Sequence, residues 1–124
     1  EKLHGMVRYG RANTRMKDFY DVWRISRNAE IEGDALTSAV QATFERRDTP
    51  LPEETPVALT EAFLEEPGKA RQWEAFLQQV EREEAGLPEV ISSLQDFLRP
   101  VLNAARGEGE TPERWTPGGP WTSE

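Results

Sequence analysis

Between Val90 and Ala105 the chain places Val90, Ile91, Leu94, Phe97, Leu98, Val101, Leu102 and Ala105 at three- and four-residue steps. That spacing brings all eight onto one face of an α-helix. A face this wide has to be covered, and a chain of 124 residues has room for one modest core. No segment shows period-two alternation, so the covering elements are expected to be helices as well. Pro88 suits the first turn of the long element and Gly107 its end, while Pro100 removes an amide donor and is expected to kink it.

The covering helices follow from the same reasoning. Residues 1 to 7 read as the end of a helix, with Leu3, Met6 and Val7 on one stripe and Gly10 as the stop. Asp34 can cap a helix over Ala35 to Arg47, whose stripe is Leu36, Ala39, Val40, Thr43 and Phe44. Three prolines make a connecting loop of residues 48 to 56. Thr60 can cap a short helix to Glu66, Pro67-Gly68 breaks it, and Lys69 to Glu84 turns Trp73, Phe76, Leu77 and Val80 inward. The fold expected is all-α, a bundle of about five helices over residues 1–107, followed by a Pro/Gly/Trp-rich tail over residues 108–124. Trp115 and Trp121 are expected to pack that tail back across the helices, with docking to a partner as the alternative, and residues past Trp121 are expected to fray.

The stretch from Asn13 to Trp23 alternates basic, acidic and large aromatic residues at helical spacing. Asn13 or Thr14 can cap a helix that runs to Asn28, with Phe19, Val22, Trp23 and Ser26 facing a core and Tyr20 and Ile25 beside them. Asp18 and Asp21 lie one turn apart on a neighbouring face, flanked by Lys17 and Arg24, and Arg24 is in reach of Asp21. As a residue pattern this is also an ordinary solvated helix face, with acidic residues near the positive end of the dipole.

Charge sharpens the picture. The net charge is −8, yet residues 1–27 carry seven basic residues against three acidic ones, a net of +4 that leaves −12 for the remainder. A basic segment beside an acidic body suggests a local polyanion surface, or pairing between that segment and acidic helices. With no cysteine and one histidine, His4, thiolate metal sites and histidine clusters are ruled out, and His4 is expected on a helix surface or partly packed. No apolar run approaches the length that spans a bilayer, so no membrane role is expected and the cytoplasm is the expected location.

The run Arg15-Met16-Lys17-Asp18-Phe19-Tyr20-Asp21-Val22, preceded by Lys2 in Glu1-Lys2-Leu3-His4, resembles the last two motifs of the AbiEii-type nucleotidyltransferases. These are toxins of abortive-infection toxin–antitoxin systems within the DNA polymerase β-like superfamily. Lys2 matches a motif lysine, and Arg15, Lys17, Asp18 and Asp21 match an Arg-x-Lys-Asp-x-x-Asp helix. The segments TFERRDTPLPEETPVAL and RWTPGGPW extend the likeness over nearly the whole chain.

The resemblance implies Lys2 and Asp18 as catalytic residues, Lys2, Arg15 and Lys17 as nucleotide-binding, and Asp21 as supporting. It also implies Mg2+ and an NTP in the full-length parent, a cognate antitoxin, and an RNA such as tRNA, or a protein, as acceptor. The Gly-Ser and Asp-x-Asp motifs that would hold the ions are absent from the sequence, and the chain opens inside a helix. A fragment is therefore expected, with its catalytic sheet in an upstream domain, no activity alone and no metal ligand of its own. The other function class open to such a chain is a non-catalytic helical module that docks an antitoxin or a partner domain.

Overall fold

The computed structural model describes residues 1–80 and 85–122. Its centre is α6 (Leu87–Ala105), in which all eight residues of the apolar stripe are buried. α2 (Met16–Asn28) and α3 (Gly33–Arg46) both lie against it, and α1 (Lys2–Tyr9) packs on α2. α4 (Glu61–Glu65) and α5 (Lys69–Gln79) complete the bundle. Phe19 of α2 stacks on Phe63 of α4 at 5.3 Å, and Tyr20 meets Trp73 and Phe76 of α5. Burying side chains of this size contributes about 1.5–3 kcal/mol each. The expected all-α bundle is what forms, with six α-helices among the described residues once the short α4 is counted.

Several local expectations are corrected. Asn13 and Thr14 do not cap α2; Arg15 occupies that position, and Asn13 acts one step earlier by accepting the Arg15 amide on Oδ1 at 2.7 Å. α3 starts at Gly33 with Glu32 in the cap position, which leaves Asp34 in the first turn. Its start is set by the tail, because the Gly33 amide donates to the Glu113 carbonyl at 2.9 Å. Pro100 lies inside α6, flanked by buried Phe97, Leu98, Val101 and Leu102. Val80 and Ile25 remain exposed. The helix expected to reach Glu84 is seen to Gln79, and residues 81–84 lie outside the described residues.

The expectation of a helix-only chain missed one small sheet. β1 (Ile31–Glu32), β2 (Arg114–Trp115) and β3 (Trp121–Thr122) pair antiparallel in that order. Two-residue strands are too short to show alternation. The tail folds back as expected: Trp115 Nε1 donates to the Ser26 carbonyl at 2.7 Å, and the Gly118 amide donates to the same oxygen at 2.8 Å. That oxygen belongs to the last turn of α2, where carbonyls lack a helical partner. Trp121 lies parallel to Phe97 at 5.8 Å and its Nε1 donates to the Phe97 carbonyl. Thr122 belongs to β3, so fraying does not begin there; Ser123 and Glu124 lie outside the described residues.

Gly33 sits where the tail crosses. A Cβ there would fall 1.6 Å from the Pro112 carbonyl oxygen, a backbone atom that cannot swing aside. Gly33→Ala is expected to cost about 2–3 kcal/mol in thermal unfolding and to red-shift the tryptophan emission as Trp115 loosens. A change below about 0.5 kcal/mol would show that the tail contributes little to the fold.

Candidate functional site

α1 and α2 bring the motif residues together. Lys2, in the first turn of α1, reaches across to α2, where its Nζ lies 3.4 Å from Asp18 Oδ1 and 3.0 Å from Asp21 Oδ2. Arg15 Nε lies 3.4 Å from Asp18 Oδ2, and Lys17 Nζ is 2.6 Å from Asp21 Oδ2. All five residues singled out in the sequence therefore form one cluster. Asp18 is the most withdrawn of them, its side chain 10% exposed against 25% for Asp21 and 40% for Lys2. Gly5 of α1 is buried here, and a Cβ on it would sit 3.6 Å from Asp18 Oδ2, an ordinary contact distance.

The pairings differ from those read along α2 alone. Asp21 takes Lys2 and Lys17, and Asp18 lies between Lys2 and Arg15. Spacing within one helix cannot show a partner that arrives from another.

Electrostatics follow from this geometry. Burial pushes the Asp21 carboxyl upward, but hydrogen bonds from Lys17 and Lys2 outweigh it and hold the group below the usual carboxylate range. The Asp21 hydrogen bond raises the Lys2 ammonium above its ordinary value despite some desolvation. Both groups stay charged through the neutral range.

Beside the cluster opens a pocket of about 670 Å³ lined by Glu1, Lys2, His4, Gly5, Arg8, Tyr9, Arg15, Asp18 and Arg47. Four cations face two carboxylates there, in a chain whose net charge is −8. The Arg8 and Arg15 guanidiniums lie 5.8 and 5.6 Å from the Tyr9 ring centroid. Glu1 accepts from Arg46 and Arg47, whose hydrogen bonds lower its carboxyl to about 2. Gly5, Arg8 and Tyr9 follow Lys2 at helical steps along one face, a signal present in the sequence but passed over; Arg47 comes from the far end of α3 and left none. A larger groove, about 830 Å³, runs between α6 and the tail and contains none of the motif residues.

His4 is buried, a correction to the expected surface or partial position. Its ring meets Phe44 edge-on at 5.3 Å, and Nε2 lies 2.8 Å from Thr49 Oγ1, whose own proton goes to the Arg47 carbonyl. Nε2 is therefore the donor. Burial, and then the nearby Arg47 charge, lower the His4 pKa below 6.5.

Among the described residues no group of three His, Asp, Glu or Cys side chains could hold a metal ion. Asp18 and Asp21 are engaged by Lys2, Arg15 and Lys17 instead, so these two carboxylates do not make a ligand set for Mg2+. No helix of the described residues is long and apolar enough to cross a membrane.

A helical bundle thus sets three cations around two carboxylates, next to a cation-lined pocket. The chain matches the model of the nucleotidyl transferase AbiEii toxin, type IV toxin–antitoxin system, over residues 1–100, and it belongs to that family. The match takes in the whole cluster and ends within α6, ahead of the tail. Comparison with curated proteins and with solved structures gives no match.

The buried histidine makes stability depend on pH. Unfolded His4 takes up a proton near 6.5 and the folded ring only at lower pH, so its contribution is complete above 6.5 and is lost as pH falls through the folded value. His4→Gln keeps a donor for Thr49 and is expected to flatten the fall in Tm between about pH 7 and about pH 5. An unchanged slope would trace that fall to other groups.

Proposed function

We propose that this chain forms one wall of a nucleotidyl-transfer site. Lys2, Arg15 and Lys17 bind the phosphates of a nucleoside triphosphate, and Asp18 holds the acceptor hydroxyl. Support comes from one observation above the others: Lys2 bridges Asp18 and Asp21 at the mouth of a pocket where cations outnumber carboxylates two to one.

In the reaction the acceptor oxygen bonds to the α-phosphorus as the α–β phosphoanhydride bond breaks, and pyrophosphate leaves. Lys2 and Arg15 meet the charge that builds on the phosphate oxygens. Asp18 spends one contact of each carboxylate oxygen on Lys2 and Arg15, which leaves further lone pairs to accept the hydroxyl proton. Asp21 keeps Lys2 and Lys17 in place. The acceptor is an RNA end or a protein; the +4 charge of residues 1–27 favours the RNA. These residues need partners for the chemistry, since the described residues provide no metal-binding carboxylate cluster. Catalysis is therefore assigned to the full-length protein, with Mg2+ held by its other segments, and this chain alone is expected to be inactive. A cognate antitoxin is the regulatory partner expected of such a toxin.

Asp18→Ala and Lys2→Ala in the full-length protein are each expected to cut incorporation of labelled nucleotide into cellular RNA or protein by about 10²-fold or more while circular dichroism stays unchanged. Undiminished transfer in a folded variant would reduce both residues to a clamp between α1 and α2.

A further inference from the structure

Lys69 is the first residue of α5 and is 4% exposed, yet it forms no ion pair among the described residues. Its Nζ donates to the Asn13 carbonyl at 2.6 Å and lies 4.7 Å from the centroid of the Phe63 ring. Burial pushes its ammonium below the ordinary lysine value. A cation kept from water, with a carbonyl and a ring in contact and only the Glu66 charge near it, is costly, and an apolar residue of similar length would avoid the cost. What the ammonium supplies is a charged donor aimed at a single backbone oxygen.

That oxygen belongs to a residue on which the start of α2 rests. Asn13 is 1% exposed; its amide donates to the Gly10 carbonyl at 3.2 Å, and its Oδ1 accepts the Arg15 amide at 2.7 Å. The Arg15 carbonyl then accepts the Asp18 amide at 3.0 Å, and the Arg15 side chain reaches the Asp18 carboxylate. Fixing Asn13 thus fixes the turn from which Arg15, Lys17 and Asp18 project. The Asn13 side-chain amide has no partner, so nothing else holds that side chain from its other end.

We propose that Lys69 and Asn13 are positioning residues, which lock the first turn of α2 and so set where Arg15 and Asp18 stand in the anion pocket. The functional half of this inference rests on the nucleotidyl-transfer reading; the structural half does not. Two measurements on the full-length protein separate them, made on wild type, Lys69→Met and Asn13→Ala. The first is native-state amide exchange, and the second is calorimetric titration with inorganic triphosphate.

Both variants are expected to speed exchange at the Arg15 and Asp18 amides by about tenfold while α6 amides hold, and to weaken triphosphate binding by about tenfold. Exchange that is unchanged, or that rises equally in α6, overturns the positioning role. Faster local exchange with triphosphate affinity equal to wild type overturns its functional part. If wild type itself binds no triphosphate, the nucleotide reading falls while the lock on α2 is upheld by the exchange data. Should Lys69→Met fail to fold, Asn13→Ala leaves the Lys69 contact with the backbone in place and gives the same readings.

Discussion

The apolar face of α6 is wide enough to take two helices, and both α2 and α3 rest on it. Burial of that face decides how α2 is rotated about its own axis: Phe19, Tyr20, Trp23 and Ser26 must point inward. Once they do, helical geometry leaves Asp18 at the margin of the buried stripe and Asp21 one turn on at its edge. The withdrawal of Asp18 from water thus begins with hydrophobic packing, to which the contacts with Lys2 and Arg15 are added. α1 then covers that margin, with Gly5 next to the Asp18 carboxylate and Arg15.

Ion pairs at a protein surface are individually weak, about 0–1 kcal/mol, so the cluster of Lys2, Arg15, Lys17, Asp18 and Asp21 is a poor explanation of stability. It is a better explanation of chemistry. In the proposed function, the three partly exposed cations held near two carboxylates turn toward an incoming polyanion at small cost, because surface pairs are cheap to break. In that proposed function, the surrounding acidity, −12 outside residues 1–27, works against adhesion of a polyanion elsewhere on the chain.

The tail is integral to the bundle even though the family match stops at residue 100. Trp115 is buried against Phe97, and the Ser26 carbonyl at the end of α2 takes two donors from the tail. The same helix is therefore held at both ends by distant chain: at its start by Lys69 through Asn13, and at its finish by Trp115 and Gly118. A helix pinned in this way can present charged side chains with little rotational freedom, which is what a site made of side chains requires.

The helical class, the stripe of α6, the stops at Gly10 and Pro67-Gly68 and the five motif residues were all legible in the sequence, because each is a matter of local periodicity, breaker chemistry or short motif. Trp115 and Trp121 also announced that the tail folds back, since large aromatics are seldom left in water. The reach of Lys2 to Asp18 and Asp21, the burial of His4 and Lys69, and the recruitment of Arg47 to the pocket were not legible. Each joins residues that are far apart in the chain, and charge and hydropathy patterns hold no record of which surfaces meet. Sequence periodicity determined which face of each helix is buried. Only packing on α6 decided which charged residues those buried faces would bring within reach of one another.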